Sequence, residues 1–497
     1  MAFRKVAVNA IAMSSVTVFR LAAQFLVVPV LSRLLSPHDY GLVALAMPFV
    51  LFTMMFTDAG IGQSLVRTTR TEEDVWSTSF WITVMLGIGL MTVIVCIGPL
   101  AAMFFDEPAL GPLVMALALV VPPQAASTIP EAALRQEHRF GTIAATEAAA
   151  IAVSILTAVF FAWMGAGAWS LIAQQLMLYG TRFVLTYWYS PFRPRLQFRL
   201  PRVREHLVFG RDVLGANFVM VVTQTVDSFI VGKLLGPALL GLYTMAFLFA
   251  RLPWRIVAGP LEYVIYAHLA KIRDNRQMTQ RLFLLLTRVT AIIITPGMGL
   301  VAAAHEPTFR LLLSEKWQAS GVLFMIAAPA AALQAIASFS AAFLMAAGRT
   351  DLQLRRNLEY LAVLLVSLAI FAPHGIGWAA FGYAVSVFVY FPRYMQLALD
   401  VLSCKFSAYL GALLVPVPVT AACFMSYQAI SRRAGAGDWG SLLIGGFLAV
   451  AGMAVSALLQ ARALRRDIKY VGGMQEEPLA AVTPPAVGEA ALPPAAG

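Results

Sequence analysis

The sequence predicts an all-α integral membrane fold with fourteen transmembrane helices. Three observations carry that reading. Hydrophobic residues make up 60% of the chain and charged residues only 12%, with a mean hydropathy of +0.77, whereas soluble domains carry about 25% charged residues. Apolar runs recur along the chain, many of them at or above the roughly 18 residues that a helix needs to cross ~30 Å of hydrocarbon. The basic residues between the runs fall mostly on one side.

The first span, near 9–34, follows Met1-Ala-Phe-Arg-Lys directly and has no small-residue cleavage pattern, so it is expected to be retained. The rest run near 40–66, 77–105, 109–133, 142–164, 168–190, 207–234, 239–268, 282–304, 321–346, 357–373, 376–399, 407–430 and 439–461. Their apolar residues are continuous and lack a period of two, which argues against a β-barrel. With a cytoplasmic N-terminus, 23 loop and terminal lysines and arginines lie on the cytoplasmic side. The opposite side holds only Arg33, Lys233, Arg310, Lys316, Arg432 and Arg433. That bias is the positive-inside rule. It places both termini in the cytoplasm, and it assigns the net charge of +11 to topology and not to nucleic acid.

The connection 190–206, Ser-Pro-Phe-Arg-Pro-Arg-Leu-Gln-Phe-Arg-Leu-Pro-Arg-Val-Arg-Glu-His, holds five arginines and three prolines. It divides the chain into an N-lobe at 1–190 (spans 1–6), a basic linker at 191–206 and a C-lobe at 207–400 (spans 7–12). Spans 13 and 14 occupy 401–472, and a Pro/Ala-rich tail, expected to be disordered and cytoplasmic, occupies 473–497. Cys96, Cys404 and Cys423 lie in or beside apolar runs without metal or disulfide spacing, so they read as small core residues.

The lobes share a motif. Across 33–49 and 233–249 the chain repeats itself without a gap, with Leu34/Leu234, Leu35/Leu235, Pro37/Pro237, Gly41/Gly241, Leu42/Leu242, Ala46/Ala246 and Phe49/Phe249 identical. A basic residue, Arg33 or Lys233, opens each copy. Each copy is the turn between the first two spans of a lobe. Six spans separate the copies, so they have the same orientation and imply a parallel repeat about an axis along the membrane normal.

At LSRLLSPHDYGLVALA, DAGIGQSLVR (58–67), AALRQEHRF (132–140), GAGAWSLIAQQL (165–176), DSFIVGKLLGPALLGLYTMA (227–246) and LMAAGRTD (344–351), the chain resembles the oligosaccharide flippases. These form the polysaccharide-transport branch of the MOP superfamily. The resemblance implies two pseudo-symmetric six-helix lobes of MOP/MATE type, with spans 13 and 14 appended. It also implies transfer of an undecaprenyl-diphosphate-linked oligosaccharide between the leaflets of the bacterial inner membrane. A polysaccharide polymerase and chain-length machinery would be partners. The peptidoglycan lipid flippase and a drug/cation antiporter of the MATE type are the alternative readings.

Seven arginines fall inside the spans: Arg20, Arg182, Arg211, Arg251, Arg255, Arg288 and Arg393. Each would cost about 2.5–3.5 kcal/mol facing lipid at a helix centre. Arg211, Arg288 and Arg393, near cytoplasmic helix ends, are expected to snorkel or pair locally. Arg20 shares a face with Thr17 and Gln24, and Arg182 with Gln175. In an unbroken helix, Arg251, Arg255 and Glu262 form one stripe, and a single carboxylate neutralises only one of the two arginines. Arg20, Gln24, Arg182, Arg251, Arg255 and Glu262 are therefore the candidate substrate-binding residues, because guanidinium groups hold phosphate oxygens bidentately and stay charged. The resemblance places such arginines on the first, second and eighth spans; here the second offers Asp58 instead. Asp227, near Thr223 and Gln224, and Asp58 are the candidates for coupling to a proton or sodium gradient. No cofactor, catalytic group or metal site is expected, since no phosphate loop, paired-histidine motif or extracytoplasmic acid/base pair is present.

Overall fold

The computed structural model describes residues 19, 20, 22, 23, 25–57, 62, 65, 73–199, 204–259, 261, 262, 265, 269, 272, 275–435 and 437–473. The first half holds α1 (Phe25–Leu34), α2 (Pro37–Thr57), α3 (Glu73–Phe105), α4 (Leu110–Ala118), α5 (Val121–Gln136), α6 (Phe140–Trp163) and α7 (Ala168–Tyr189). There follow α8 (Arg204–Ala250), α9 (Arg276–Ala303), α10 (His305–Leu312), α11 (Gln318–Ala337), α12 (Phe339–Ala346), α13 (Thr350–Phe371) and α14 (Ile376–Leu402). The chain ends with α15 (Phe406–Leu413), α16 (Pro416–Ala434), α17 (Asp438–Leu459) and α18 (Ala461–Gly473). No strand occurs among the described residues, and ten helical segments there are long and apolar enough to cross a bilayer.

Proline and glycine decide where the long apolar runs bend. The run expected as one helix near 109–133 is two, because Pro122 and Pro123 follow Val121 at the start of α5. The run near 407–430 likewise breaks before Pro416, a residue suited to a first helical turn. Within α8, Gly236 has φ 82° and ψ 170°, backbone that glycine alone adopts readily, and Pro237 restarts the helix after the bend. Beyond Arg251 and Pro253 the chain widens into a π-helical turn at Trp254–Ala258.

Packing repeats between the halves. In the first, α3 packs on α4 and α5, α6 on α7, and α5 on α7; in the second, α9 packs on α11, α13 on α14, and α11 on α14. Across the middle, α2 lies along α8, and one buried apolar cluster runs through both halves, including Leu35, Leu45, Ala46, Val231, Leu240 and Ala246. Helices α16 and α17 pack on each other and on α9.

Candidate functional site

The two copies of the repeat meet. A Cβ built on Gly41 would overlap the Pro237 carbonyl, and one built on Gly241 would overlap the Pro37 carbonyl. Only glycine permits this backbone approach, and it occurs twice, each copy receiving the other's proline. The flanking contacts are also reciprocal. Arg33 Nη2 donates to the Leu311 carbonyl at 3.1 Å, beyond α9, while Lys233 Nζ donates to the Phe104 carbonyl at 2.5 Å and pairs with Asp106 at 2.8 Å, at the end of α3. Lys316 Nζ donates to the carbonyls of Arg33 (3.0 Å) and Leu35 (2.5 Å), and Trp317 Nε1 to that of Ser32 at 2.8 Å. The side-chain hydrogen bonds and ion pairs found between described residues of the two halves all lie at this end. Inward of it, the halves touch through apolar rings, Phe49 with Phe229 at 5.6 Å and Phe52 with Phe218 at 5.8 Å.

Arg20 and Arg182 belong to one network in the first half. Arg182 bridges two carboxylates, with Nη2 2.7 Å from Glu131 and Nε 3.3 Å from Glu147. Arg20 Nη2 pairs with Glu147, and Arg135 Nη2 lies 2.6 Å from Glu131. Three guanidinium groups against two carboxylates leave one positive charge in excess. The Glu131 and Glu147 side chains are only 11% and 12% exposed, whereas Arg20 is 55% exposed, so its free donors face outward from the network. Arg182, which shares a helix face with Gln175, pairs with two glutamates, on α5 and α6. The sequence signal for one of them was the Glu131/Arg135 spacing of four; Glu147 stood alone in an alanine run.

In the second half, Arg251 pairs with Asp227, Nη2 to Oδ2 at 3.3 Å. Asp227 is buried. It also accepts from the Ser228 amide at 2.8 Å and, more weakly, from the Tyr243 hydroxyl at 3.5 Å. Asp227, expected near Thr223 and Gln224, is thus held by Ser228, Tyr243 and Arg251. A hydroxyl–amide chain lies nearby: Tyr383 donates to Gln334 at 2.7 Å, and Gln334 donates to Tyr360 at 3.1 Å. The stripe of Arg251, Arg255 and Glu262 does not form an ion-paired set. The π turn after Arg251 shifts the angular register that an unbroken α-helix would keep, and Glu262 instead interacts with Trp254 and the charge of Arg356. Arg255 carries no ion pair with a described residue.

Arg356 differs from expectation, whereas Arg288 and Arg393 each have a carboxylate partner. Arg356, assigned to a loop, is fully buried, with its guanidinium 3.5 Å from the centre of the Tyr394 ring and one hydrogen bond to Ser340 at 3.0 Å. Its Nε and Nη1 have no hydrogen-bond partner among the described residues. Arg288 pairs with Asp467, and Arg393 lies 3.8 Å from Glu359. Gln24, Asp58 and the tail beyond 473 lie outside the described residues, as does the side chain of Arg211. No group of residues able to hold a metal ion occurs among the described residues.

The comparisons with known proteins agree with this architecture. The chain is 28% identical, over 298 residues, to the succinoglycan biosynthesis transport protein ExoT of Rhizobium meliloti, a match that spans 59% of this chain and 60% of the relative. Its fold superposes on the lipid II flippase MurJ in an inward closed conformation with a TM-score of 0.74, at 13% identity, over 93% of this chain and all of that one. It also resembles an inward-facing multidrug resistance MATE transporter of the MOP superfamily, with a TM-score of 0.59, at 14% identity, over 78% of this chain and 98% of the other. The family described as polysaccharide biosynthesis protein matches residues 30–321, more than half of the chain. This multi-pass membrane protein, built on the MOP-superfamily fold, belongs to the polysaccharide biosynthesis protein family.

Proposed function

We infer that the chain carries an undecaprenyl-diphosphate-linked oligosaccharide repeat unit from the cytoplasmic to the periplasmic leaflet of the inner membrane, by alternating access. The observation that carries this reading is the reciprocal Gly41–Pro237 and Gly241–Pro37 contact. A pseudo-two-fold closure centred on one end is what a rocking pair of lobes needs, since the same surfaces part when the opposite end closes. In this reading the lobes are 1–190 and 207–400, the closed end is periplasmic, and both termini are cytoplasmic. Fourteen spans follow if α1, α7 and α14 join the ten apolar segments and the bend at Gly236 divides α8.

The ligand chemistry rests on the two basic clusters. Arg20 and Arg182 on one side, and Arg251 and Arg255 on the other, would take the diphosphate oxygens, while the lipid tail stays in the bilayer. Glu131 and Glu147 temper the first cluster, and Asp227 tempers the second, so that the headgroup is released as well as bound. Asp227 is the coupling candidate: when Arg251 turns to phosphate, the buried carboxylate is left to take a proton or sodium ion. The role is transport and not catalysis, with the polymerase and chain-length proteins acting on the delivered unit.

The test replaces Arg251 and Arg255 together by alanine and measures surface polysaccharide and the lipid-linked precursor. The expected result is loss of polymer with precursor retained on the cytoplasmic leaflet. Unchanged polymer at normal protein level removes the pair from the mechanism. Drug sensitivity that changes while polymer does not would point to the antiporter.

A further inference from the structure

Helix α18 lies beyond the last apolar run of the sequence. Only Gln460 separates α18 from the apolar α17, and Gln460 is buried, donating from Nε2 to the Ala412 carbonyl at 3.1 Å. Helix α18 therefore starts at the surface of the bilayer that α17 crosses. Asp467 fixes its rotation. This carboxylate has no exposed surface; Arg281 lies 3.0 Å from it and Arg288 pairs with it. Tyr470 adds a hydrogen bond to Gln277 at 3.0 Å, and the Arg281 guanidinium sits 5.4 Å from the centre of its ring. These contacts dock α18 on the N-terminal half of α9, where its polar residues lie.

With that face fixed, the remaining faces are determined. At 3.6 residues per turn, Arg462, Arg465, Arg466 and Lys469 lie within about 100° of one another, and all four are exposed. Arg466 keeps 62% of its side chain exposed, although its Nε lies 3.5 Å from Asp467. Ile468, 55% exposed, points to a third face. Like charges three and four residues apart disfavour a helix left in water. The only acid in α18 faces the protein and is shared by Arg281, Arg288 and, at 3.5 Å, Arg466, so it offsets little of the basic stripe.

We propose that α18 lies in the headgroup layer and binds anionic phospholipids, with Ile468 directed to the acyl chains and the four basic residues to the phosphates. An apolar face beside a basic stripe, held at bilayer depth, is the arrangement of an interfacial helix. Clusters of basic residues next to a span are drawn to anionic leaflets. The partner is a lipid surface and not an acidic protein, because the stripe adjoins an exposed apolar residue and begins within a turn of a membrane-spanning helix. The inference requires only that the chain spans a membrane; it stands apart from the transport reading.

The test is hydrogen exchange of the 461–473 amides in the full-length protein, in nanodiscs of phosphatidylcholine alone or with phosphatidylglycerol. Phosphatidylglycerol is expected to slow exchange by about fivefold or more, the effect of even one basic residue at an anionic leaflet. The slowing should vanish at high salt, where the Debye length falls to about 3 Å, and in the variant Arg462→Gln/Arg465→Gln/Arg466→Gln/Lys469→Gln. Asp467→Asn should instead speed exchange in both lipids, since it loosens docking on α9. Equal exchange in the two lipids, or slowing that survives salt in the wild type, overturns the proposal whether or not the fourfold variant folds. Transport is not the readout, so failure here leaves the proposed function untouched.

Discussion

The carbonyl of Pro237 lies against Gly41 so closely that no side chain fits between them. The same contact recurs with Gly241 and the carbonyl of Pro37, so the duplicated motif is its own binding partner. Helix α2 is held to α8 at this point by backbone fit, with salt bridges only at the margin.

Gly41→Ala or Gly241→Ala is therefore expected to force the closed end apart. Overpacking a tight contact costs about 1–3 kcal/mol, enough to shift a balanced two-state equilibrium by roughly fivefold to more than a hundredfold. Surface polymer should fall at unchanged protein level. Gly89→Ala, on a glycine with nothing within 4 Å of the added atom, should be silent. A silent Gly41→Ala would show that the contact does not hold the gate.

The Lys233–Asp106 pair should matter far less. Asp106 is 81% exposed and its φ of 56° suits asparagine as well as aspartate. Exposed pairs contribute about 0–1 kcal/mol. Asp106→Asn is expected to leave polymer output within a fewfold of wild type in an export assay; a loss as large as that of Gly41→Ala would contradict this ranking.

Glu131 holds both Arg135 and Arg182, so Glu131→Gln should destabilise the purified protein by about 1–3 kcal/mol, the cost of leaving a buried partner unpaired. Arg20→Gln should lower the melting temperature less, because Arg20 is half exposed. Thermal unfolding in detergent checks the order, and the reverse order would mean that Arg20 and not Arg182 anchors the network.

Asp227→Asn frees Arg251 and is expected to lower both stability and export. Adding Arg251→Gln should restore protein level, since no charge is then left unpaired, without restoring polymer. Full recovery of polymer in the double variant would show that the pair is structural and that neither member meets the substrate or coupling ion.

Arg356 offers a test of a buried charge with no bonded carboxylate among the described residues. Arg356→Met, which keeps the volume, is expected to leave stability unchanged or raise it, whereas Arg356→Ala opens a void against Tyr394 and should lower the melting temperature. Strong destabilisation by methionine would indicate that the charge itself is held, with Glu262 as its balancing group.

The apolar runs were legible because crossing a bilayer is a property of a local segment: about 20 residues, few charges and a basic flank suffice. The duplicated Pro-Gly turn was legible for the same reason, as sequence compared with itself. The pairing of the buried charges was not. Glu131 and Arg182 are 51 positions apart and Arg288 and Asp467 are 179 apart, and no periodicity connects them. Even the near pair failed: Glu262 was placed beside Arg251 by counting residues round an ideal helix, and the π turn at Trp254–Ala258 moved it away. What the chain alone determined was the class of membrane protein and the place of its internal repeat. Which acid answers which arginine, and that the two repeats close on each other, were decided only when irregular helices packed, because charge pairing depends on rotations of tens of degrees that local composition does not encode.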